Sequence, residues 1–199
     1  MSDSRNLIIN FDGTWNDSEN MDGDVKAPTN VYKLDQALQG FGDRQLTYYE
    51  DGVGSRPMEM ITGGVAGFGL DKRVLGAYRW LSKKLGNSDW QQNKIYISGF
   101  SRGAYTARKF AGLLHFCGVP QNPNDDDFAM KLYNQQDSKS AAEFIDKGRF
   151  KKVEVEMLGV WDTVKMTTDE DFTDGTLPDN VKTAYHAMAI DEKRAVFPV

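Results

Sequence analysis

The sequence predicts an α/β fold of three layers, in which helices cover both faces of a mostly parallel sheet. Short runs rich in β-branched and aromatic residues alternate along the chain with longer segments of helical period. The first of these runs ends abruptly at the polar turn "DGTWND". With 199 residues, of which 40% are hydrophobic, the chain is long enough to bury one core. We therefore expect a single domain over residues 1–199.

The order of the elements follows from these runs. The predicted strands cover residues 6–11, 45–53, 94–100 and 153–164. The predicted helices cover residues 29–38, 71–86, 102–115 and 179–195. Thr29 is the capping candidate of the first helix, and Gly86 ends the second. Asp179 or Asn180 is expected to cap the last helix.

One polar stretch interrupts this alternation. Residues from about 120 to 150 include "QNPNDDDFAMKLYNQQDSKS", which has no low-complexity repeat. A stretch of this length between regular elements is often functional. We expect an insertion with one or two short helices that serves as a lid.

The composition of the chain indicates which binding partners and which cellular location to expect. The net charge is -5, the pI is near 5.1, and no Lys/Arg-rich run is present, so nucleic acid is not an expected partner. The single cysteine, Cys117, excludes an internal disulfide framework and is expected in the core. Neither a signal peptide nor eighteen consecutive apolar residues occurs, so no membrane span is expected. These features predict a protein that is cytoplasmic, or exported without a signal peptide.

The motif G-x-S-x-G is the strongest chemical signal. It reads Gly99-Phe100-Ser101-Arg102-Gly103 and lies between a predicted strand and a predicted helix. Glycines two residues before and after the serine allow the sharp turn that exposes a nucleophilic hydroxyl. The Arg102 N–H, at the start of the helix, is placed to receive the oxyanion that forms when Ser101 attacks a carbonyl. An ordinary strand-to-helix turn is the alternative interpretation of the pentapeptide alone.

A serine nucleophile needs a base and a carboxylate that orients the base. His115 lies fourteen residues along the helix from Ser101, about 20 Å at 1.5 Å per residue, so it is too far away. His186 follows Ser101 and Asp162, which gives the order of the triad in α/β-hydrolases. Asp162 comes directly after the apolar run "MLGVW", where parallel sheets gather functional groups. A helix-capping aspartate and a packed helical histidine remain the alternatives for Asp162 and His186.

The turn "FDGTWND" is predicted to supply the second half of the oxyanion hole. Gly13 ends the first strand and can offer its backbone N–H, and the Thr14 hydroxyl follows it. "DGT" after a strand is also typical of phosphohydrolases that form an aspartyl phosphate. Their nucleophilic Asp would stand at position 10, which is Asn10 here, so this chemistry is disfavoured.

Several motifs together carry a family resemblance. "IINFDGTWND", "TNVYKL", "YYEDGVGS", "AYRWLSKKL", "IYISGFSRGAYTARKFAGLL", "LGVWDTV" and "HAMAIDEKRAVF" occur in this order over nearly the whole chain. In this it resembles the α/β-hydrolase-like domain of type VI secretion phospholipase effectors and their relatives. The resemblance implies a serine hydrolase that cleaves ester bonds, in characterised members those of phospholipids. It matches Ser101 to the nucleophile and Asp162 to a carboxylate of the site.

The chain departs from this family at its C-terminal end. Other members continue beyond "DEKRAVFPV" into a strand and a glycine-rich turn that carries a histidine, whereas this sequence stops at Val199. We expect the C-terminal part of the family domain to be absent. The base is then His186, or it belongs to another polypeptide that completes the domain, or it is missing.

The sequence therefore predicts a serine esterase or lipase-like hydrolase that acts on a lipid or other ester without a cofactor. Ser101, Asp162 and His186 are the predicted catalytic residues. A catalytically inactive hydrolase fold that binds or assembles with a partner is the first alternative. A metal-dependent phosphoesterase that uses Asp12 and Asp162 is the second.

Overall fold

The computed structural model describes residues 4–17, 19–52, 66–86, 92–164 and 176–190. The strands in chain order are β1 (Asn6–Phe11), β2 (Met21–Asp22), β3 (Val25–Lys26), β4 (Gln45–Glu50), β5 (Lys94–Phe100), β6 (Val119–Pro120), β7 (Phe150–Lys151), β8 (Val155–Trp161) and β9 (Ala184–Ala187). The helices are α1 (Asn30–Ala37), α2 (Ala66–Leu85), α3 (Arg102–Cys117), α4 (Asp126–Asn134) and α5 (Ser138–Asp146). In the described part of the chain, short 3-10 turns at Gly42–Arg44 and Pro123–Asp125 lie between them.

A five-stranded sheet forms the middle layer, with the order β4-β1-β5-β8-β9. All four strand pairs in it are parallel. Alternate residues of β1 face opposite layers, as the pleat of a strand requires. Phe11 packs against Phe110 of α3 at 5.8 Å between ring centroids, whereas Asn10 donates to Asp35 of α1 at 2.9 Å. The predicted mostly parallel α/β fold is confirmed.

The strand order positions the functional edge of the sheet. β4 lies on one side of β1 and β5 lies on the other, so the connections after β1 and β4 run in opposite directions. In open parallel sheets, ligands bind beyond the carboxyl ends of the strands where the order reverses in this way. The turn after β1 and the start of α3 after β5 both lie at this place.

The local signals predict element boundaries well. The strands at 6–11 and 94–100 are confirmed residue for residue. The Thr29 Oγ1 accepts from the Tyr32 N–H at 3.0 Å, which confirms Thr29 as the cap of α1. Gly86 follows α2 with φ +51°, a left-handed conformation that glycine adopts without strain.

The predicted last helix is wrong. Residues 184–187 form β9, which pairs in parallel with β8, and all four are exposed. Backbone hydrogen bonds continue along this pairing, including one from the Asp162 N–H to the Ala187 oxygen at 2.9 Å. Alanine favours a helix in isolation, but pairing with the available edge of β8 outweighs that weak local preference. Residues 191–195 of the predicted helix lie outside the described residues.

The polar stretch near 120–150 forms two helices that share the main core. Ala129, Met130 and Leu132 of α4 are buried, and Phe144 of α5 packs on Phe150 with ring centroids 5.3 Å apart. Cys117 is buried at the end of α3, where it donates to the Ala129 oxygen at 3.4 Å. Among the helices of the described residues, none is long and apolar enough to cross a membrane.

Candidate active site

The turn between β5 and α3 holds Ser101 in a strained conformation. Its backbone angles are φ 55° and ψ -123°, a region that side-chain-bearing residues rarely adopt. Strain of this kind costs on the order of 1–3 kcal/mol and clusters at functional sites. The Ser101 backbone is fixed on both sides, since its N–H donates to the Trp161 oxygen at 2.9 Å and its oxygen accepts from Tyr105 and Val164.

Both glycines of the motif are required by close backbone contacts. A Cβ atom on Gly99 would lie 2.4 Å from the Gly103 oxygen. A Cβ atom on Gly103 would lie 2.3 Å from the Phe11 oxygen and 2.4 Å from the Asp12 oxygen. The first turn of α3 therefore packs directly on the end of β1. The two glycines of G-x-S-x-G are therefore needed for backbone packing as well as for the turn.

Replacing Gly103 by alanine should destabilise the protein by about 1–3 kcal/mol, because the new methyl group overlaps backbone atoms that cannot move independently. Gly112 in the same helix is a matched control. A Cβ atom there meets the end of the Tyr133 side chain at 2.5 Å, which can shift, and alanine gains about 1 kcal/mol of helix propensity over glycine. Denaturant unfolding of both variants checks this. Equal stability losses in the two variants would contradict the overlap at Gly103.

Asp162 lies in the turn directly after β8, beside the Ser101 backbone. Its φ is 44°, so it too has a left-handed conformation that is uncommon for aspartate. The two residues that flank this turn, Trp161 and Val164, are the ones bonded to the Ser101 backbone. The Asp162 Oδ1 accepts from the Ala189 N–H at 2.6 Å. The fold thus brings the predicted nucleophile and carboxylate into neighbouring turns.

His186 contacts the same turn from β9. Its Nε2 accepts from the Thr163 N–H at 3.3 Å, and the residue is exposed. An acceptor at Nε2 means that the proton of the neutral ring is on Nδ1. Within the part of the chain that the structure describes, the imidazole makes no hydrogen bond to Ser101 or to Asp162. A complete triad is therefore not assembled in this arrangement, and the role of His186 stays a prediction.

The turn after β1 contains the predicted oxyanion-hole residues. The Gly13 N–H donates to the Asp12 Oδ1 at 2.7 Å, so it is already engaged within the protein. The Thr14 Oγ1 is buried and has no hydrogen-bond partner among the described residues. The Arg102 guanidinium lies 5.6 Å from the centre of the exposed Trp15 ring. Partial burial lowers the pKa of Arg102 below its ordinary value.

In the alternative of a metal-dependent phosphoesterase, Asp12 and Asp162 would bind the metal ion. The Asp12 carboxylate instead accepts the Thr29 hydroxyl and the Tyr49 hydroxyl at 2.6 Å each, in addition to Gly13. Among the described residues, no group of three or more His, Cys, Asp or Glu side chains is arranged to hold a metal ion.

The contacts of Thr29 and Tyr49 with Asp12 are the part of the site that the sequence does not indicate. The two residues lie 17 and 37 positions from Asp12 in the chain, and their types carry no site signal on their own. Only the pairing of β1 with β4 and the start of α1 bring them to the carboxylate.

Comparison with known proteins identifies relatives over nearly the whole chain. Residues 5–199 match the family described as T6SS, phospholipase effector Tle1-like, catalytic domain. An uncharacterized protein of Saccharomyces cerevisiae is 27% identical over 229 residues, which cover 98% of this chain and 32% of the yeast protein.

A crystal structure of an uncharacterized protein from Pseudomonas aeruginosa is also similar, with 18% identity and a TM-score of 0.48. That match covers 98% of this chain and 37% of the other chain. The chain thus spans about a third of the length of both proteins. The family match takes in the turn after β1, the Ser101 turn and the Asp162 turn, and by that match the chain belongs to the T6SS phospholipase effector Tle1-like catalytic domains.

Proposed function

We propose that this chain is a serine hydrolase that cleaves carboxylic ester bonds of lipids, with Ser101 as the nucleophile. The strained Ser101 turn carries the proposal, since φ 55° and ψ -123° put a serine in a costly conformation at the carboxyl end of a parallel sheet. Two glycines in backbone contact keep the turn closed. A structural serine in an ordinary turn needs none of these features.

The proposed reaction follows from the groups around Ser101. The hydroxyl oxygen attacks the ester carbonyl, and its proton passes to the base. The carbonyl oxygen becomes an oxyanion, which the Arg102 N–H at the start of α3 stabilises. The intermediate collapses to an acyl-serine when the alcohol leaves with the proton from the base. Water then releases the fatty acid in the same way and restores Ser101.

Lipid as the substrate class rests on the family. Its description names a phospholipase effector catalytic domain, which supports lipase-like hydrolysis in general. The specific bond cleaved and the choice of headgroup belong to the proposal. Since the chain spans about a third of its two relatives, we propose the ester chemistry for this domain alone.

His186 is the proposed base, with Asp162 as the carboxylate that orients it. The observation in favour is that the His186 ring already contacts the turn that carries Asp162. The competing proposal is a base supplied by a further segment or another polypeptide. A catalytically inactive subunit is the second candidate function, favoured by the hydrogen bond that the His186 Nε2 accepts from the Thr163 N–H in place of one with Ser101.

Labelling with a fluorophosphonate, located by mass spectrometry, tests the proposed function. We expect the label on Ser101 at a measurable rate. Loss of the base lowers such rates about 10²–10⁴-fold, so His186→Ala should show this decrease. His115→Ala, which changes an exposed histidine at the far end of α3, should label normally.

The outcomes separate the candidates. A normal rate in His186→Ala assigns the base to another segment or polypeptide. Failure of the folded wild-type chain to label rejects ester hydrolysis by this chain alone and supports the inactive subunit.

A further inference from the structure

Asp12 is a buried carboxylate that ties three segments together at the site. Its exposed fraction is 3%. One oxygen accepts the Gly13 N–H at 2.7 Å, and the other accepts the hydroxyls of Thr29 and Tyr49 at 2.6 Å each. Thr29 caps α1 and Tyr49 belongs to β4, so the carboxylate connects the ends of β1 and β4 to the start of α1.

The backbone around Asp12 is equally constrained. The backbone oxygen of Asp12 lies 2.4 Å from where a Cβ atom of Gly103 would stand, so the Asp12 backbone packs against the first turn of α3. The Gly13 oxygen accepts from the Asn16 N–H at 2.9 Å. A Cβ on Gly52 would lie only 1.5 Å from that same oxygen. The turn at 13–16 is therefore held in one position relative to the Ser101 turn.

In this arrangement the Gly13 N–H has a protein partner and the Thr14 hydroxyl has none among the described residues. The carboxylate already takes the Gly13 N–H, a charge-assisted bond of the stronger kind. The next residue, Thr14, has a buried hydroxyl with no partner among the described residues. Leaving such a group unpaired costs about 1–3 kcal/mol, and an unpaired buried group in a native protein calls for a ligand or a functional reason.

The electrostatics of Asp12 agree with a functional role. The three groups that donate to its carboxylate are neutral, so none of them compensates the negative charge with a positive one. Burial raises the pKa of Asp12 above its ordinary value, although these hydrogen bonds act in the opposite direction. Carboxylates whose pKa is shifted by burial are concentrated at active sites.

We propose that Asp12 is the positioning residue of the oxyanion hole. By binding the Gly13 N–H and the two hydroxyls, it fixes the turn so that the Thr14 hydroxyl, together with the Arg102 N–H, receives the oxyanion. The Gly13 N–H then holds the turn through Asp12 and does not bind the oxyanion. This inference rests on the proposed ester hydrolysis at Ser101.

The test uses rates of fluorophosphonate labelling at Ser101, because the phosphonyl oxygen develops charge in the same hole. Thr14→Val keeps the shape of the side chain and removes the hydroxyl. Loss of one oxyanion donor costs on the order of 10²-fold or more, so we expect this decrease in Thr14→Val and a similar one in Asp12→Ala. The double variant should label no more slowly than Asp12→Ala alone, since Asp12 acts through Thr14.

Asp35→Ala is the matched control. Asp35, on α1, has the same exposed fraction, 3%, and its carboxylate accepts from the side-chain amides of Asn10 and Gln39. We expect it to lower the melting temperature without changing the labelling rate. Asp12→Asn keeps the volume of the side chain, and it replaces Asp12→Ala in the cycle if the alanine variant does not fold.

Any of the following results would overturn the inference. A normal labelling rate in Thr14→Val would show that the Thr14 hydroxyl does not bind the oxyanion. Decreases that multiply in the double variant show that Asp12 does not act through Thr14. An absence of labelling in the folded wild-type chain rejects the proposed function as well, whereas normal labelling of the wild type and of all variants rejects the positioning role alone.

Discussion

Replacing Ser101 by alanine should abolish ester hydrolysis, with a decrease in turnover on the order of 10⁶-fold, as removal of a nucleophile does in serine hydrolases. The melting temperature should change little. The Ser101 hydroxyl does not cap α3, the residue is only half-buried, and alanine inherits the same backbone strain. Hydrolysis of a short-chain nitrophenyl ester and thermal unfolding measure the two effects.

Ser98→Ala is the matched control for this variant. Ser98 lies three residues earlier on β5, and its hydroxyl donates to the Asn10 side chain at 2.7 Å in the sheet interior. Its loss should cost about 1 kcal/mol of stability and leave the turnover unchanged. Retained hydrolysis in Ser101→Ala would reject Ser101 as the nucleophile.

Asp162→Asn should lower the turnover about 10³–10⁴-fold, the loss seen when the orienting carboxylate of a triad becomes an amide. An asparagine can still accept the Ala189 N–H, which the Asp162 Oδ1 binds at 2.6 Å. We therefore expect the turn and the melting temperature to be nearly preserved. Steady-state kinetics with the same nitrophenyl ester, alongside thermal unfolding, check both parts.

Asp137→Asn gives the comparison for a purely structural aspartate. Asp137 caps α5 by accepting the Ser140 N–H at 3.0 Å, and asparagine caps helices equally well. Its turnover should equal that of the wild type. If Asp162→Asn behaves like Asp137→Asn, Asp162 is only a turn residue.

The parts of the fold that the sequence predicts are those set by neighbouring residues. The apolar run of β5, the two glycines around Ser101 and the start of α3 lie within one short segment. Each of them constrains the same turn, so the pattern is informative without any tertiary contact. The cap at Thr29 and the stop at Gly86 are local in the same sense.

The parts that it misses depend on contacts between distant segments. β9 exists because β8 offers a parallel edge, and the paired residues lie 26 positions apart in the chain. The sequence of an alanine-rich segment does not indicate so distant a partner. The bond between Gly13 and Asp12 is local, but the burial that makes Asp12 hold the turn comes from Thr29 and Tyr49. The sequence alone therefore does not show that the Gly13 N–H, predicted to bind the oxyanion, is bound by Asp12.

At position 101 the residue that would be best for stability differs from the residue that the proposed reaction needs. Glycine adopts positive φ at little cost, so it would relieve strain that serine retains. A search for stabilising substitutions would therefore favour glycine at position 101 and remove the proposed nucleophile with it. The turn between β5 and α3 is a site where thermal improvement and turnover are in direct conflict. Efforts to make this domain more robust should hold residue 101 fixed and seek their gains elsewhere in the fold.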